Sequence, residues 1–335
     1  MTGYLVRRVA QAVPTLVLIS LVLFFGMHAL PGGPTAAFGT NPHMSAAARQ
    51  AIIHQWGLDK PLPVQYLDWV KSMFTGDWQY SFFLRRPVRD VITERLPATL
   101  ILMGSAYALQ QLLALPSGIY AALRRYSPFD QILTLLSYLF YSMPTFWLGL
   151  ALILALAVQI PIFPVAGIID VRVTGAPWGT GDFVTWFGGH PLEGIGQIAQ
   201  HLVLPAITVA LVGMAGDFRF MRASMLDAVN QDYVRTARAK GMEERTVVLK
   251  HALRNALLPV ITNAALVLPA LFSGAVVTEA IFSWPGMGQL FYQALSAYDY
   301  TLMMGILFVS AVLIVLFNLL ADLAYAIVDP RIAYD

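Results

Sequence analysis

The sequence predicts an all-α integral membrane protein with about six transmembrane helices and an extracytoplasmic cap after the first helix. Three observations carry this prediction. Apolar residues make up 58% of the 335 positions and charged residues only 12%, whereas a soluble domain carries roughly 25% charged residues. Six apolar stretches are long enough to cross a bilayer as helices. Lysine and arginine are concentrated in alternate loops between those stretches.

Each apolar stretch reaches the roughly 20 residues that span about 30 Å of hydrocarbon as a helix. The first follows Arg7 and Arg8, so it is either a cleaved signal peptide or a retained helix. Its length exceeds the roughly 7–15 residues of a signal core, which favours a retained helix. Prolines within or beside the stretches allow the kinks of a cavity-lining bundle, or reflect irregular packing alone. The stretches are 9–30, 97–121, 131–157, 202–225, 256–282 and 302–328, and the prolines are Pro116, Pro144, Pro205, Pro259 and Pro269.

The distribution of basic residues predicts that both termini are cytoplasmic. Two segments on the opposite side, 158–201 and 283–301, contain only Arg172. The segment 31–96 is predicted to be external despite its basic residues, because loop charge stops governing topology beyond roughly 60 residues. The basic groups on the cytoplasmic side are Arg7–Arg8, Arg124–Arg125 and the cluster between 219 and 254.

These features divide the chain into an N-terminus with the first helix, a cap, and a core of five helices. In the cap, Ser45 is suited to begin a short helix that ends at Gly57, and Gln65–Phe74 has apolar residues at helical spacing. The segment 158–201, rich in glycine, proline and aromatics, is expected to lie along the membrane surface. The three parts are 1–30, 31–96 and 97–335, the last with a cytoplasmic loop at 226–255.

The loop 226–255 contains a predicted helix from Asp232 to Lys240. Asp232 is suited to the N-cap, and Gly241 to a left-handed ending. Arg235 and Arg238 share one face of this helix, while Val234, Ala237 and Gly241 form a smoother one. Such a helix is shaped to sit in a groove of another protein, or it is a solvated loop whose arginines only enforce topology. The residues alone leave both interpretations open.

The chain carries no set of residues that predicts catalysis. It has no Gly-Lys dipeptide, hence no Walker A loop, and no His-Glu-x-x-His or Gly-x-Ser-x-Gly motif. The loose dinucleotide pattern at Gly194, Gly196 and Ala199 lacks a preceding strand. Cysteine is absent and the six histidines are scattered, so no metal site is predicted. A net charge of +2 gives no indication of nucleic-acid binding.

Ionisable residues inside apolar stretches mark transport pathways or partner contacts by default. Asp217 and Arg219 lie in the fourth stretch, Glu279 in the fifth and Asp322 in the sixth. For Asp217, Arg219 and Asp322 the alternative is interfacial snorkelling or a helix–helix pair. Glu279 precedes a Phe-Ser-Trp-Pro-Gly run and is a candidate for a structural or gating role.

Several motifs, in their order and spacing, resemble the permease subunits of bacterial dipeptide and oligopeptide ABC importers, in particular the first of their two permeases. The resemblance covers essentially the whole chain. The motifs are Pro31-Gly32-Gly33-Pro34, Gly57-Leu58-Asp59-Lys60-Pro61-Leu62 with Gln65-Tyr66, Arg95-Leu96-Pro97-Ala98-Thr99-Leu100, Ser142-Met143-Pro144-Thr145-Phe146-Trp147, Glu279 to Gly288, and Asp322-Leu323-Ala324-Tyr325 with Asp329-Pro330-Arg331.

The loop 226–255 is similar to the EAA loop, which docks import permeases on their ATPases. Arg235-Thr236-Ala237 and Gly241 stand at the Glu-Ala-Ala and Gly positions, so the glutamate and the first alanine are replaced. The resemblance implies that an ATPase-docking surface lies here. Its predicted members are Tyr233, Arg235, Thr236, Ala237, Arg238, Gly241, Glu244 and Arg245.

The resemblance further implies the type I permease fold of ABC importers in a bacterial inner membrane. The expected partners are a second homologous permease, two ATP-binding subunits and an extracytoplasmic substrate-binding protein, with membrane lipid around them. ATP and Mg are expected in the partner subunits and no cofactor in this chain. Family members carry dipeptides, longer peptides, nickel chelates, glutathione or oligosaccharides, and no residue here separates these substrates. The candidate path residues are Tyr141, Met143, Trp147, Asn263 and Glu279.

Two other classes of function compete with the importer. An ion-driven secondary transporter predicts paired intramembrane carboxylates and inverted sequence halves, and neither is present in the sequence. A membrane-embedded enzyme needs a convergent nucleophile, base or metal set. Both are disfavoured by these absences.

Overall fold

The computed structural model describes residues 2–29, 32–35, 45–267 and 275–328, and the chain is helical through most of them. Two helices, α6 and α11, continue into π-helical turns at Leu154–Gln159 and Val247–Ala252. The helices are α1 Thr2–Ala29, α2 Ala46–Gln55, α3 Leu62–Thr75, α4 Val88–Leu123, α5 Pro128–Ser142, α6 Thr145–Ile153, α7 Val171–Thr174, α8 Gly181–Gly189, α9 Pro191–Val229, α10 Asp232–Ala239, α11 Glu244–Thr246, α12 Leu253–Val267, α13 Val276–Ile281, α14 Met287–Ser296 and α15 Tyr300–Val328.

Four helices in the described ranges, α1, α4, α9 and α15, are long and apolar enough to cross a membrane. The pair α5 and α6 adds a fifth span if it is counted as one, although it bends by 101°. The predicted span 131–157 is thus helical on both sides of a sharp bend at Pro144, one of the prolines for which a kink was expected. Pro144 lacks an amide hydrogen and holds Met143 in an extended conformation, which ends α5. The predicted span 256–282 includes 268–274, with Pro269, outside the described residues, and so the count of six is not confirmed.

The two longest helices, α4 and α9, pack against each other along much of their length. Their 36 and 39 residues correspond to about 54 and 58 Å, so both extend beyond the roughly 30 Å hydrocarbon layer. A Cβ at Gly118 of α4 would lie 2.9 Å from both Met221 Cβ and the Phe218 carbonyl of α9. Glycine therefore sets how closely these helices approach. Helix α9 begins at Pro191, eleven residues before the predicted start of that span.

The segment after the first helix packs on α1 and on the start of α15. Helices α2 and α3 lie where the spacing predicted them, and Gly57 and Gly76 end them with φ of +65° and +81°. Ser20 Oγ on α1 lies 2.8 Å from the Tyr66 hydroxyl of α3. Buried Asp299 accepts hydrogen bonds from Ser81 Oγ at 2.6 Å and Phe83 N at 3.0 Å. The role of 31–96 as a separate cap stays a prediction, and its residues 36–44 lie outside the described ranges.

The end of the bundle that is predicted to be cytoplasmic is held by an ion pair and a hydrophobic cluster. Arg222 of α9 donates two hydrogen bonds of 2.7 Å to the buried carboxylate of Asp130 on α5. Beside this pair, Met221 and Met225 of α9 pack with Val234 of α10 and with Val247. Helix α10 is thereby seated directly on the end of the longest helix. The side chain of Asp322 and the ending Asp329–Arg331 lie outside what the structure describes.

Candidate functional site

Helix α10 is the short helix that the sequence predicted on the cytoplasmic side, with a different start. Gln231 occupies the N-cap without a side-chain cap, and Asp232 is the first helical residue, so the prediction that Asp232 caps the helix is wrong. Gly241 has φ of +72°, as predicted for a left-handed ending. A Cβ there would meet nothing within 4 Å. The backbone conformation, and not space, is what requires glycine at this position.

The inner face of α10 belongs to the hydrophobic core of the chain. Val234 is fully buried and Ala237 is only 5% exposed, and both pack with Met221 and Met225 of α9. Ala237, a predicted member of the docking surface, therefore faces inward and presents nothing to a partner in this conformation. Its small side chain allows α10 to lie close to α9.

The outer face of α10 is basic and exposed. Arg238 Nη2 and Nε donate hydrogen bonds of 2.7 and 3.1 Å to the two carboxylate oxygens of Glu244. This fork joins α10 to α11, and its hydrogen bonds lower the pKa of Glu244 below its usual value. Arg235 has only a 3.6 Å contact with exposed Asp232, so its guanidinium is available to a partner. The other predicted members on this face are Tyr233, Thr236, Gly241 and Arg245, all exposed.

The five predicted path residues do not form one site. Tyr141, Met143 and Trp147 lie around the break between α5 and α6, where the Tyr141 and Trp147 side chains are exposed. Asn263 is half-buried on α12, a different element. Glu279 is fully buried in this structure, unlike Tyr141 and Trp147.

Glu279 is the centre of a hydrogen-bond network, the Glu279 network, that links α13 to α4 and to α14. Its carboxylate accepts from Thr99 Oγ1 at 2.9 Å and from the amides of Gly288 and Gln289 at 2.7 and 3.0 Å. Trp284 adds an indole hydrogen bond of 2.8 Å to the Ala98 carbonyl. The bonds of Glu279 to Thr99 and of Trp284 to Ala98 join segments 180 and 186 positions apart. The bonds from Gly288 and Gln289 fix the loop that leads into α14. This supports the structural role that the sequence indicated for Glu279.

A cavity of about 440 Å³ opens between α4, α6, α9 and α13. Its lining includes Gln110 and Tyr107, whose buried hydroxyl has no hydrogen-bond partner among the described residues. Gln110 Nε2 donates a 2.7 Å hydrogen bond to Asp217 of α9, and Gln111 is hydrogen-bonded to the same carboxylate. Asp217 thus links α9 to α4, in agreement with the interpretation of Asp217 as part of a helix–helix pair.

The sequence prediction missed every residue of this cavity. None of the five predicted path residues lines it, and the adjacent glutamines at 110 and 111 were the available signal, because two amides within an apolar span need partners. The remaining lining comes from Met103, Thr145, Val209, Val212, Gly213, Ala275, Val276, Val277 and Thr278.

Comparison with known proteins places this geometry in a family. Residues 114–334 match the model of the binding-protein-dependent transport system inner membrane component, and residues 1–103 match the model of its N-terminal region. The chain belongs to this family. It is 42% identical over 335 residues to the oligopeptide transport system permease protein AppB of Bacillus subtilis, covering 100% of both chains. It is 36% identical to the dipeptide transport system permease protein DppB of Escherichia coli, covering 100% of this chain and 99% of that protein.

Family membership confirms the resemblance recognised in the sequence. A third relative, the di/tripeptide transport system permease protein DppB of Pseudomonas aeruginosa, is 35% identical over 100% of this chain and 99% of its own length. The protein is a multi-pass inner-membrane permease subunit of an ABC transporter. Such subunits have no ATP site of their own, and partner subunits hydrolyse the ATP. A second permease, ATPases and a binding protein accompany family members in general.

Proposed function

We propose that this chain forms, with a second homologous permease, the membrane path for di- or oligopeptides delivered by an extracytoplasmic binding protein. Its two termini lie in the cytoplasm, and one of two ATP-binding subunits, which hold ATP and Mg, docks on the outer face of α10. The peptide substrate is supported by the names of the three relatives, which are oligopeptide, dipeptide and di/tripeptide permeases. Nickel chelates and oligosaccharides remain the alternative cargoes.

The observation that carries the proposal is the double character of α10. Its inner face packs on Met221 and Met225 of α9, and its outer face presents Arg235, Arg238 and their neighbours. A partner that moves α10 therefore moves the end of α9. The middle of the same helix lines the cavity, at Val209 and Gly213. ATP shifts such an equilibrium only by binding one conformation of the complex more tightly than the other.

The docking surface that we propose consists of Tyr233, Arg235, Thr236, Arg238, Gly241, Glu244 and Arg245. Ala237 contributes indirectly, by seating α10 on α9. The replacement of the usual glutamate by Arg235 predicts that the facing surface of the ATPase is acidic.

Substitution at Gly241 tests the docking role. Gly241→Val forces a β-branched residue into a left-handed conformation, which costs roughly 1–2 kcal/mol and distorts the end of α10. We expect ATP-driven peptide uptake by the reconstituted importer to fall at least about tenfold, a change equivalent to about 1.4 kcal/mol, while membrane insertion stays normal. Gly241→Asn is the matched control, because asparagine tolerates left-handed backbone and should retain most of the uptake.

Normal uptake by the Gly241→Val importer would refute the docking assignment. Uptake that continues without ATP, and that follows an ion gradient, would refute the importer itself and favour the secondary transporter.

A further inference from the structure

Arg219 is a cation on the long apolar helix α9, within the stretch that is predicted to span the membrane. It lies ten residues before Val229, the end of α9, which is about 15 Å along the helix axis. Arg222, one turn nearer the cytoplasm, is already at the level of Asp130 near the start of α5. Arg219 contacts Tyr138 and Tyr141, farther along α5 towards the break at Met143. Its guanidinium therefore lies beyond the ion pair that closes the cytoplasmic end.

The guanidinium of Arg219 has aromatic neighbours but no anionic one in the described ranges. Its centre lies 4.7 Å from the ring centroid of Tyr141 and 5.4 Å from that of Tyr138. Nε donates to the Ala215 carbonyl at 3.2 Å, and no partner is recorded for the two terminal nitrogens. The Asp217 carboxylate, two residues earlier, is taken up by the amides of Gln110 and Gln111 on α4.

Arg222 shows what a structural arginine at this end of the bundle looks like. It is paired through two hydrogen bonds with a carboxylate that is itself 97% buried. Arg219 has no such partner, although leaving an arginine unpaired within the membrane is costly. Instead it stands between two tyrosines that are each more than half exposed, so this group faces an open surface of the chain. Intramembrane arginines almost always face the bundle interior or a water-filled cavity.

From this geometry we infer that Arg219 binds the C-terminal carboxylate of the transported peptide. The inference rests on the proposed peptide function. A guanidinium whose two terminal nitrogens are free offers the planar fork that matches a carboxylate, and the tyrosine rings hold that fork in place by cation–π contact. The C-terminal carboxylate is shared by peptides of every sequence. One residue can therefore serve a permease that accepts peptides with diverse side chains.

Paired uptake measurements test this inference. Trialanine and trialanine amide differ only in the carboxylate charge, and each is offered to the complete reconstituted importer with its binding protein already loaded. Uptake by each variant is expressed relative to wild type for the same peptide, so the preference of the binding protein cancels. For Arg219→Gln we expect a loss of at least tenfold with trialanine and less than twofold with the amide. Arg219→Lys should give a smaller but still selective loss, because an ammonium keeps the charge and lacks the fork.

The matched control is Arg124→Gln. Arg124 also lies over a tyrosine, Tyr120, at 5.4 Å, but it is exposed at the end of α4, outside the membrane. This variant should leave the uptake of both trialanine and trialanine amide unchanged. An equal loss of both uptakes with Arg219→Gln, repeated with Arg219→Lys, would overturn the inference and leave Arg219 a packing or lipid-contacting residue. ATP-driven uptake of neither peptide by the wild-type importer would instead overturn the proposed function, and the inference with it.

Discussion

At the scale of single residues, ionisable side chains in the apolar stretches were visible in the sequence but their partners were not. Glu279, Asp217 and Arg219 stood out because charge within a membrane span is rare. Their roles depend on groups more than 70 positions away: Thr99 for Glu279, Gln110 for Asp217, and Tyr141 for Arg219. Helical periodicity predicts which residues share a face of one helix, but it does not predict which other helix that face contacts. Glu279, one of the candidate path residues, is buried and hydrogen-bonded to Thr99 in this structure.

Removing Glu279 should destabilise the protein strongly. In Glu279→Ala the amides of Gly288 and Gln289 and the Thr99 hydroxyl lose their acceptor in a buried place, which costs about 2–5 kcal/mol in total. We expect a clearly lower midpoint of thermal unfolding in detergent. Glu193→Ala is the control, because Glu193 is exposed in the first turn of α9 and contributes under about 1 kcal/mol there. Equal unfolding midpoints for the two variants would contradict a stabilising role of the Glu279 network.

At the scale of elements, apolar length predicted where helices lie better than how they end. The second, fourth and sixth stretches fall within long helices, and so does the first up to Ala29, where the described range ends. About 20 apolar residues in a bilayer leave the backbone no alternative to helix. The third stretch bends at Pro144, where the loss of one donor and the extended Met143 outweigh apolar length. The starts of α4 and α9 were placed too late, because both helices continue into polar surroundings that an apolar window does not detect.

The contact between α4 and α9 predicts opposite effects of one substitution at two glycines. In Gly118→Ala the new Cβ meets Met221 Cβ and the Phe218 carbonyl at 2.9 Å, so the helices must separate at a cost of about 1–3 kcal/mol. In Gly104→Ala, on the same helix, the Cβ meets nothing within 4 Å, and better helix propensity should stabilise by up to about 1 kcal/mol. Unfolding in detergent should show a lower midpoint for the first variant only. A neutral Gly118→Ala would mean that the two helices are not in close contact.

At the scale of the whole molecule, the remaining prediction is orientation, which rests on loop charge alone. The positive-inside rule predicts that the turn at Arg124 and Arg125 is cytoplasmic, and it conflicts with an external position for the basic segment 31–96. The segment packs on α1 and on the start of α15. It must therefore lie on the same side of the membrane as the start of α15, and that side follows from the order in which the helices cross. A single error in orientation would exchange the docking face and the cap, and so it decides which partners can reach each face.

Because the chain has no cysteine, single introduced cysteines report orientation without background. Leu67 on α3 and Leu192 at the start of α9 are exposed, and Leu67→Cys and Leu192→Cys should react with a membrane-impermeant maleimide in intact cells. Arg125→Cys, in the exposed turn before α5, should react only after the membrane is permeabilised. Leu67→Cys is the decisive variant, because its segment is the one where loop charge and helix order disagree. Protection of Leu67→Cys together with labelling of Leu192→Cys would place the segment after α1 in the cytoplasm. The first helix would then not cross the membrane as proposed, and the contacts between that segment and the start of α15 would have to be abandoned.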